Sequence, residues 1–381
     1  MLRFTRAEYE DRRARLRAVM AERGLDAMLL FAPESHYWTT GYDTFGFCFF
    51  QCLVIDAGGE ALLTRSADLR QAQLTSTLAD DAIHIWKDGA GIDPTADLAR
   101  LLSDRGLDAA RLGIETDTQG LTARWGAAMQ ARFGARLVEA SDVVPALRLV
   151  KSPAEIAAHR KAGEIADAAY LKALEVIGPG AEEGEILAAL QGEVFRLGGD
   201  YAGNEFIIGS ADHALLCRYQ SGRRRLDPQD QITLEWAGAW ARHHAALMRT
   251  VVVGAPRPEH VSMHAAARDA LTACEAALAP GRTMGEVFAA HATALDAAGL
   301  GHARLNACGY SLGARFTPSW MDPQMFYENA PQVMAPGMVF FLHMILMDSD
   351  TGAAMTLGRT SLVTETGAEP LSSLPLDLPL R

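Results

Sequence analysis

An apolar run, Gln231-Ile-Thr-Leu-Glu-Trp-Ala-Gly238, is followed closely by a second, Ala241-Arg-His-His-Ala-Ala-Leu-Met-Arg-Thr-Val-Val-Val-Gly254. Together they read as a β-hairpin that carries one carboxylate, Glu235, among apolar neighbours. Side chains alternate faces along a strand, so Ile232, Leu234 and Trp236 share one side while Thr233, Glu235 and Ala237 share the other. If that second face lines a cavity, desolvation raises the glutamate's pKa and leaves a carboxylate poised to act as general base or nucleophile. The competing expectation is an ion pair from Glu235 to Arg249 across the hairpin.

The chain is 381 residues long, which suggests two domains, each with its own core. A formal charge of -12 argues against nucleic acid as a partner, because phosphate recognition rests on clustered Lys and Arg; a small-molecule substrate fits better. Arg223-Arg224-Arg225 forms a short basic run that reads either as a solvated turn before Asp227-Pro228 or as an anion contact. The cysteines, Cys48, Cys52, Cys217, Cys274 and Cys308, are odd in number and scattered, as expected of reduced thiols in the cytoplasm. Charged residues crowd the first 25 positions, and no apolar run reaches the roughly 20 residues of a bilayer span. A cytoplasmic protein without a membrane partner is expected.

Thr5 and Glu8 fit a capping box and Phe4 and Tyr9 a hydrophobic staple, which predicts a first helix from near Arg6 to near Gly24. Strands are predicted at 27–31, 49–55, 61–64 and 111–114, alternating with helices at 68–78, 95–102 and 121–133, the order of a compact α/β domain ending near residue 150. Lys151-Ser-Pro-Ala-Glu155 then supplies an N-cap Ser, a Pro at the first helical position and a Glu three residues after the cap. A long helix starts there and stops at Gly178-Pro179-Gly180, with a second at 183–197. Strands are predicted at 205–208, 214–219, 232–237, 247–253, 338–347 and 354–363, with helices at 259–278 and 284–298. The second domain, 151–381, is therefore α+β.

His243 and His244 adjoin on a strand and face opposite ways, so only one can enter a site. Histidines in strands, His343 included, are more often hydrogen-bonded structure than catalysts; the same holds for His213 and His302. Arg218 and Arg249 offer guanidinium forks for a substrate carboxylate or serve as surface ion pairs. Gly309-Tyr-Ser-Leu-Gly313, followed by Pro318-Ser-Trp320, reads as a glycine-flanked turn exposing Tyr310 beside an aromatic wall. A dinuclear metal site needs several carboxylates and an imidazole converging on two hard cations, and the chain does not offer that set, so no metal or other cofactor is expected.

Four motifs carry a family resemblance: Leu147-Arg-Leu-Val-Lys-Ser-Pro-Ala-Glu-Ile156, Met248-Arg-Thr250, Ala335-Pro-Gly-Met-Val339 and Leu362-Val-Thr-Glu-Thr-Gly367. In this order they resemble the superfamily of methionine aminopeptidase, prolidase, aminopeptidase P and creatinase. The resemblance implies a pita-bread C-terminal catalytic domain with a smaller α/β creatinase-type N-terminal domain, at 1–150. It places the five metal ligands of the peptidases on Glu235, Ala246, Tyr310, His343 and Gly358, of which only Glu235 is a carboxylate. Phe4 to Tyr9, Arg23 to Ala27, Thr40 to Asp43, Gly198 to Tyr201, Glu235-Trp-Ala-Gly238, and Gly309-Tyr310 through Trp320 resemble the ectoine hydrolases, metal-free members that open a cyclic amidine. Departures from that pattern fall at Arg218, Met248 and Arg359. The implied activity is metal-independent hydrolysis of a C–N bond in a small amidine, amide or guanidino compound. Glu235, His244 and Tyr310 would be catalytic, and Arg218, Arg249, His343 and Trp320 would contact substrate. In relatives the small domain closes a neighbouring subunit's pocket, which implies a homodimer with Phe45, Phe47 and Arg65 reaching across. A divergent Xaa-Pro metallopeptidase and a non-catalytic solute-binding protein are the alternatives.

Overall fold

The structure, a computed structural model, describes residues 2–218 and 222–381. The chain divides into two compact units, Met1–Arg148 and Leu149–Arg381.

In the first unit, helix α1 (Arg6–Glu22) begins as the sequence predicts, with the Thr5 hydroxyl accepting the Glu8 N–H at 3.2 Å and the Phe4 and Tyr9 rings in edge contact. Among the described residues the sheet has six strands: β1 (Ala27–Leu30), β2 (Cys52–Asp56), β3 (Gly59–Arg65), β4 (Ile83–Trp86), β5 (Leu112–Ile114) and β6 (Leu137–Glu139), in the order β4-β3-β2-β1-β5-β6. Ala27 and Leu29 enter one core while Met28 and Leu30 enter another, so the sheet is buried on both faces. That double burial explains why its strands read as unbroken apolar runs rather than alternating ones. Helices α2 (Pro33–Thr40), α3 (Leu69–Thr75), α4 (Pro94–Asp104), α5 (Ala123–Phe133) and α6 (Val143–Leu149) surround it. The α2 segment escaped the sequence reading because every one of its residues is buried, which leaves no polar face to set a helical period.

The second unit opens on α7 (Pro153–Leu174), whose cap is reciprocal: Ser152 Oγ accepts the Glu155 N–H at 3.2 Å and Glu155 Oε2 accepts the Ser152 N–H at 3.0 Å. There follow α8 (Glu183–Arg196), β7 (Ile207–Ser210), β8 (Asp230–Trp240), β9 (His243–Val253), α9 (Pro258–Ala277), α10 (Met284–Ala297), β10 (Ala307–Leu312), β11 (Met321–Tyr327), β12 (Val339–Asp348), β13 (Ala353–Thr364) and β14 (Gly367–Pro370). The sheet order is β11-β10-β12-β13-β9-β8-β7, with β14 pairing β13. Two expectations fail. The strand predicted at 214–219 is instead a 3-10 segment, Ala211–Leu215, followed by a turn, with Tyr219 outside the described residues. The glycine-flanked turn at 309–313 is strand β10, with Tyr310 buried.

Alternation sorts the sheet's two faces. Leu234 pairs with Arg249 and Arg249 with Leu357, a row on the face where α7 and α9 pack. On that face the Trp236 indole N–H donates to Ala166 O at 2.9 Å and its ring stacks on Tyr170. Gly238 permits the close approach of α7: a Cβ there would stand 1.9 Å from Ala162 O. Among the described residues no helix is long and apolar enough to cross a membrane.

Candidate active site

The opposite face of the same sheet carries the candidate row. Glu235 pairs with Met248, Met248 with Gly358, and Gly358 with His343, which sets these four residues side by side across β8, β9, β13 and β12. Tyr310 on β10 pairs with Phe341, two residues from His343, and on its other side with Met325 of β11. Residues of β8, β10, β11 and β12, with Cys217, Arg218 and Leu305, line a cavity of about 140 Å³ that opens on one side. Its polar lining is Cys217, Arg218, Glu235, Tyr310 and His343, and its apolar walls include Leu305, Met321, Met325 and Ile345.

The Trp320 indole N–H donates to Tyr310 Oη at 2.8 Å, and the Tyr310 hydroxyl in turn donates to Glu235 Oε1 at 3.3 Å. The indole therefore fixes the phenol's accepting side and leaves its proton for the carboxylate. Burial pushes Glu235 up to about 7, against the opposing pull of the Arg218 charge and the Tyr310 hydrogen bond. Tyr310 is held well above its ordinary value by burial and by the Glu235 charge. His343 is driven down to about 3, first by burial and then by His291 and Arg218, so it meets the cavity as a neutral imidazole. Burial and the Glu235 charge raise the Cys217 thiol, which keeps it protonated and a poor nucleophile.

Of the residues singled out in the sequence, Glu235, Tyr310, Arg218 and His343 are thus brought together; three others of the same unit, His244, Arg249 and Trp320, are not among the cavity's lining. His244, the expected proton carrier, is fully buried away from the cavity lining: its Nε2 accepts the Gly203 N–H at 2.9 Å and its Nδ1 faces Gly313 O at 3.4 Å. The histidine inside is His343. Arg249 lies on the helix-covered face, where its Nη1 donates to Met248 O at 2.8 Å and Gly358 O at 2.7 Å. It neither pairs with Glu235 nor reaches the cavity. Trp320 stands behind Tyr310 rather than in the wall. In the N-terminal unit Phe45 is 72% exposed, whereas Phe47 is buried against it and is not presented to solvent. Arg65 pairs with Asp88 at 3.0 Å and lies over the Phe49 ring. The basic run is tied down by carboxylates, Arg224 by Asp227 and Asp230 and Arg225 by Glu182, as a structural turn would be. Sequence reasoning missed Cys217, Met321 and Met325; the first adjoins Arg218, but nothing marked the two methionines as cavity walls.

Two positions of the peptidase ligand set offer no donor. Ala246 has no polar atom, and a Cβ at Gly358 would stand 2.8 Å from Leu342 O and 2.9 Å from the Phe341 ring, so no side chain fits there. Among the described residues no group of three or more His, Cys, Asp or Glu side chains converges. Glu235 and His343 alone do not fit a two-metal centre, which needs carboxylates to bridge and neutralise the ions.

The profile of metallopeptidase family M24 matches residues 157–365, and that of the creatinase/prolidase N-terminal domain matches residues 12–150. Ectoine hydrolase from Halomonas elongata is 29% identical over 99% of this chain and 98% of its own length. The Xaa-Pro dipeptidase of Pyrococcus furiosus is 25% identical over 62% of this chain and 67% of its own. Dipeptidase PepE from Mycobacterium ulcerans superposes with a TM-score of 0.85 over 99% of both chains at 23% identity, a likeness of fold. A pita-bread catalytic domain preceded by a creatinase-type N-terminal domain, matched over most of the chain, places this protein in family M24, among its hydrolases.

Proposed function

We propose that the protein hydrolyses a C–N bond in a small amidine, amide or guanidino compound with protein groups alone. The observation that carries this reading is the setting of Glu235: a buried carboxylate that accepts the Tyr310 hydroxyl and lines a partly open cavity with a phenol, an imidazole and one guanidinium, where burial pushes it up to about 7. A volume of about 140 Å³ corresponds to roughly ten non-hydrogen atoms, the size of a carboxylated heterocycle or a short guanidino acid.

Glu235 takes a proton from water as the water oxygen bonds to the electrophilic carbon. The C–N bond then breaks, its electron pair stays on nitrogen, and nitrogen receives the proton that Glu235 holds. A group with a pKa near 7 is available in both its basic and its acidic form at neutral pH, which suits it to both transfers. Tyr310 donates a hydrogen bond to the charge that develops, His343 holds a substrate polar group as a neutral imidazole, and Arg218 binds a substrate carboxylate. A cationic amidinium beside Glu235 would draw its pKa down and keep it ionised, which favours an amidine over a neutral amide. The similarity to ectoine hydrolase over both domains supports the same class. We further propose a cytoplasmic homodimer in which the N-terminal domain of one subunit completes the partner's site through Phe45 and Arg65.

The test is a turnover screen of ectoine, hydroxyectoine, creatine, other guanidino acids and proline dipeptides, with and without chelator. Chelator-resistant turnover of an amidine or guanidino acid that Glu235→Gln abolishes is the expected outcome. Turnover confined to proline dipeptides and extinguished by EDTA would reject the reading in favour of a metallopeptidase.

A further inference from the structure

Met325 borders two spaces at once. On one side lies the cavity of about 140 Å³ with Glu235; on the other a hollow of about 490 Å³ opens to solvent. The hollow is lined mainly by apolar side chains, Met284, Pro323, Tyr327 and Val333 among them, with Gln324 beside Met325. Tyr327 is 48% and Val333 50% exposed, so the hollow presents uncovered apolar surface. Gln324 is also a lining residue, and its Oε1 is buried without a hydrogen-bond partner among the described residues. The partition itself is soft. Methionine is unbranched and rotates about three bonds, β11 stands at the edge of the sheet, and its pairing with β10 is irregular on both sides of the Tyr310–Met325 contact.

Resting on the function proposed above, we infer that the hollow behind Met325 is a second subsite, which takes an apolar alkyl or acyl substituent carried by the substrate, and that Met325 sets how far this substituent reaches. The reacting C–N group sits against Glu235 while the tail passes Met325 into the hollow. Substrates with such a tail bind by burying methylenes that the inner cavity has no room for, and a bulkier residue 325 confines the enzyme to compact ones.

Cys217 lines the inner cavity and allows a test that needs no turnover. In a Cys48→Ser background, which removes the exposed thiol, the rate of Cys217 modification is followed by mass spectrometry with methyl, hexyl and sulfonatobutyl methanethiosulfonates. Met325→Ala should speed the hexyl reagent by about tenfold or more, as expected if a few methylenes gain a buried path, while the methyl reagent changes by less than about twofold. Adding Val333→Trp, at an exposed rim position, should fill the hollow and cancel the gain. The proposal falls if Met325→Ala leaves the hexyl rate unchanged, or if the sulfonatobutyl reagent gains equally, because then no apolar space has been joined to the cavity. Glu235→Gln should raise the methyl and hexyl rates by a common factor, because the Glu235 charge no longer holds the Cys217 thiol up, and should leave their ratio and its response to Met325→Ala unchanged, so a failure of the catalytic reading is distinguishable from a failure of the subsite.

Discussion

Glu235 is an ionisable group placed where ionisation is expensive, and two measurements expose it. In the folded state its pKa is about 7 against an ordinary value of 4.5, so between those pH values the folded protein holds a proton that the unfolded chain has lost. Stability therefore falls as pH rises through that window, by ~3 kcal/mol in total if the whole shift is expressed. Glu235→Gln should flatten this part of the curve, gaining stability relative to wild type at pH 8 but not at pH 4, as read by urea titration at several pH values. Glu115 also has a pKa near 7 through burial, which is why the difference between the two proteins, rather than either curve, is the readout. Catalysis should show the opposite slope. The base form works, so kcat/KM climbs with pH to a plateau above about 7, and Glu235→Gln lowers it by about 10²- to 10⁴-fold with the fold intact. Tyr310→Phe removes the donor to Glu235 and strands the Trp320 indole N–H without its acceptor, a loss of about 1–3 kcal/mol of stability by the same denaturation assay.

At the scale of strands and helices, the site is a matter of register. Pairing alone lines up Glu235, Met248, Gly358 and His343, and the two middle positions decide what chemistry the row can host. With a thioether and a glycine between its two donors, the row lacks the bridging carboxylates of a dinuclear centre. Purified protein should carry well below one transition metal per chain by elemental analysis, and dialysis against EDTA should change turnover by less than about twofold; EDTA inactivation reversed by manganese would overturn this. Gly238 makes the complementary point on the helix side, where Gly238→Ala should cost about 3 kcal/mol, measured by urea unfolding, because the added methyl meets α7 backbone that has little freedom to yield. Much of this was legible in the sequence. The reciprocal Ser152/Glu155 cap announced α7, and strict alternation put Glu235 opposite Leu234 and Trp236. What stayed hidden depended on partners distant in sequence. Gly309 and Gly313 look like turn residues until β12 is placed beside them: Gly309 has φ +153°, and a Cβ there would stand 2.2 Å from Phe341 O, so the glycine serves close strand packing. Likewise, alternation permitted either His244 or His343 to face a cavity, but only the cross-sheet pairing shows that the first ends against Gly203 and the second beside Tyr310.

For the whole molecule, the question is whether one chain makes a complete site. Phe45 is 72% exposed and Phe49, over whose ring Arg65 lies, is 50% exposed, which offers apolar and cationic surface for a second subunit to meet. If Phe45 and Arg65 complete the site of a second subunit, two defective chains can rescue each other. A chain with Glu235→Gln keeps an intact N-terminal domain, and a chain with Phe45→Ala and Arg65→Ala keeps an intact catalytic domain. In a mixed dimer with sites shared between subunits, one site is then wholly wild type. Were each site built within a single chain, both would be defective. Co-expression at equal levels makes about half of the dimers mixed, each with one working site of two, so about a quarter of wild-type activity should return. Separate purification of the parents, each nearly inactive, and light scattering for the dimer mass complete the measurement. Activity in the mixture no greater than the sum of the parents, or a monomer in solution, would assign Phe45 and Arg65 to some other purpose and leave the cavity around Glu235 to work alone.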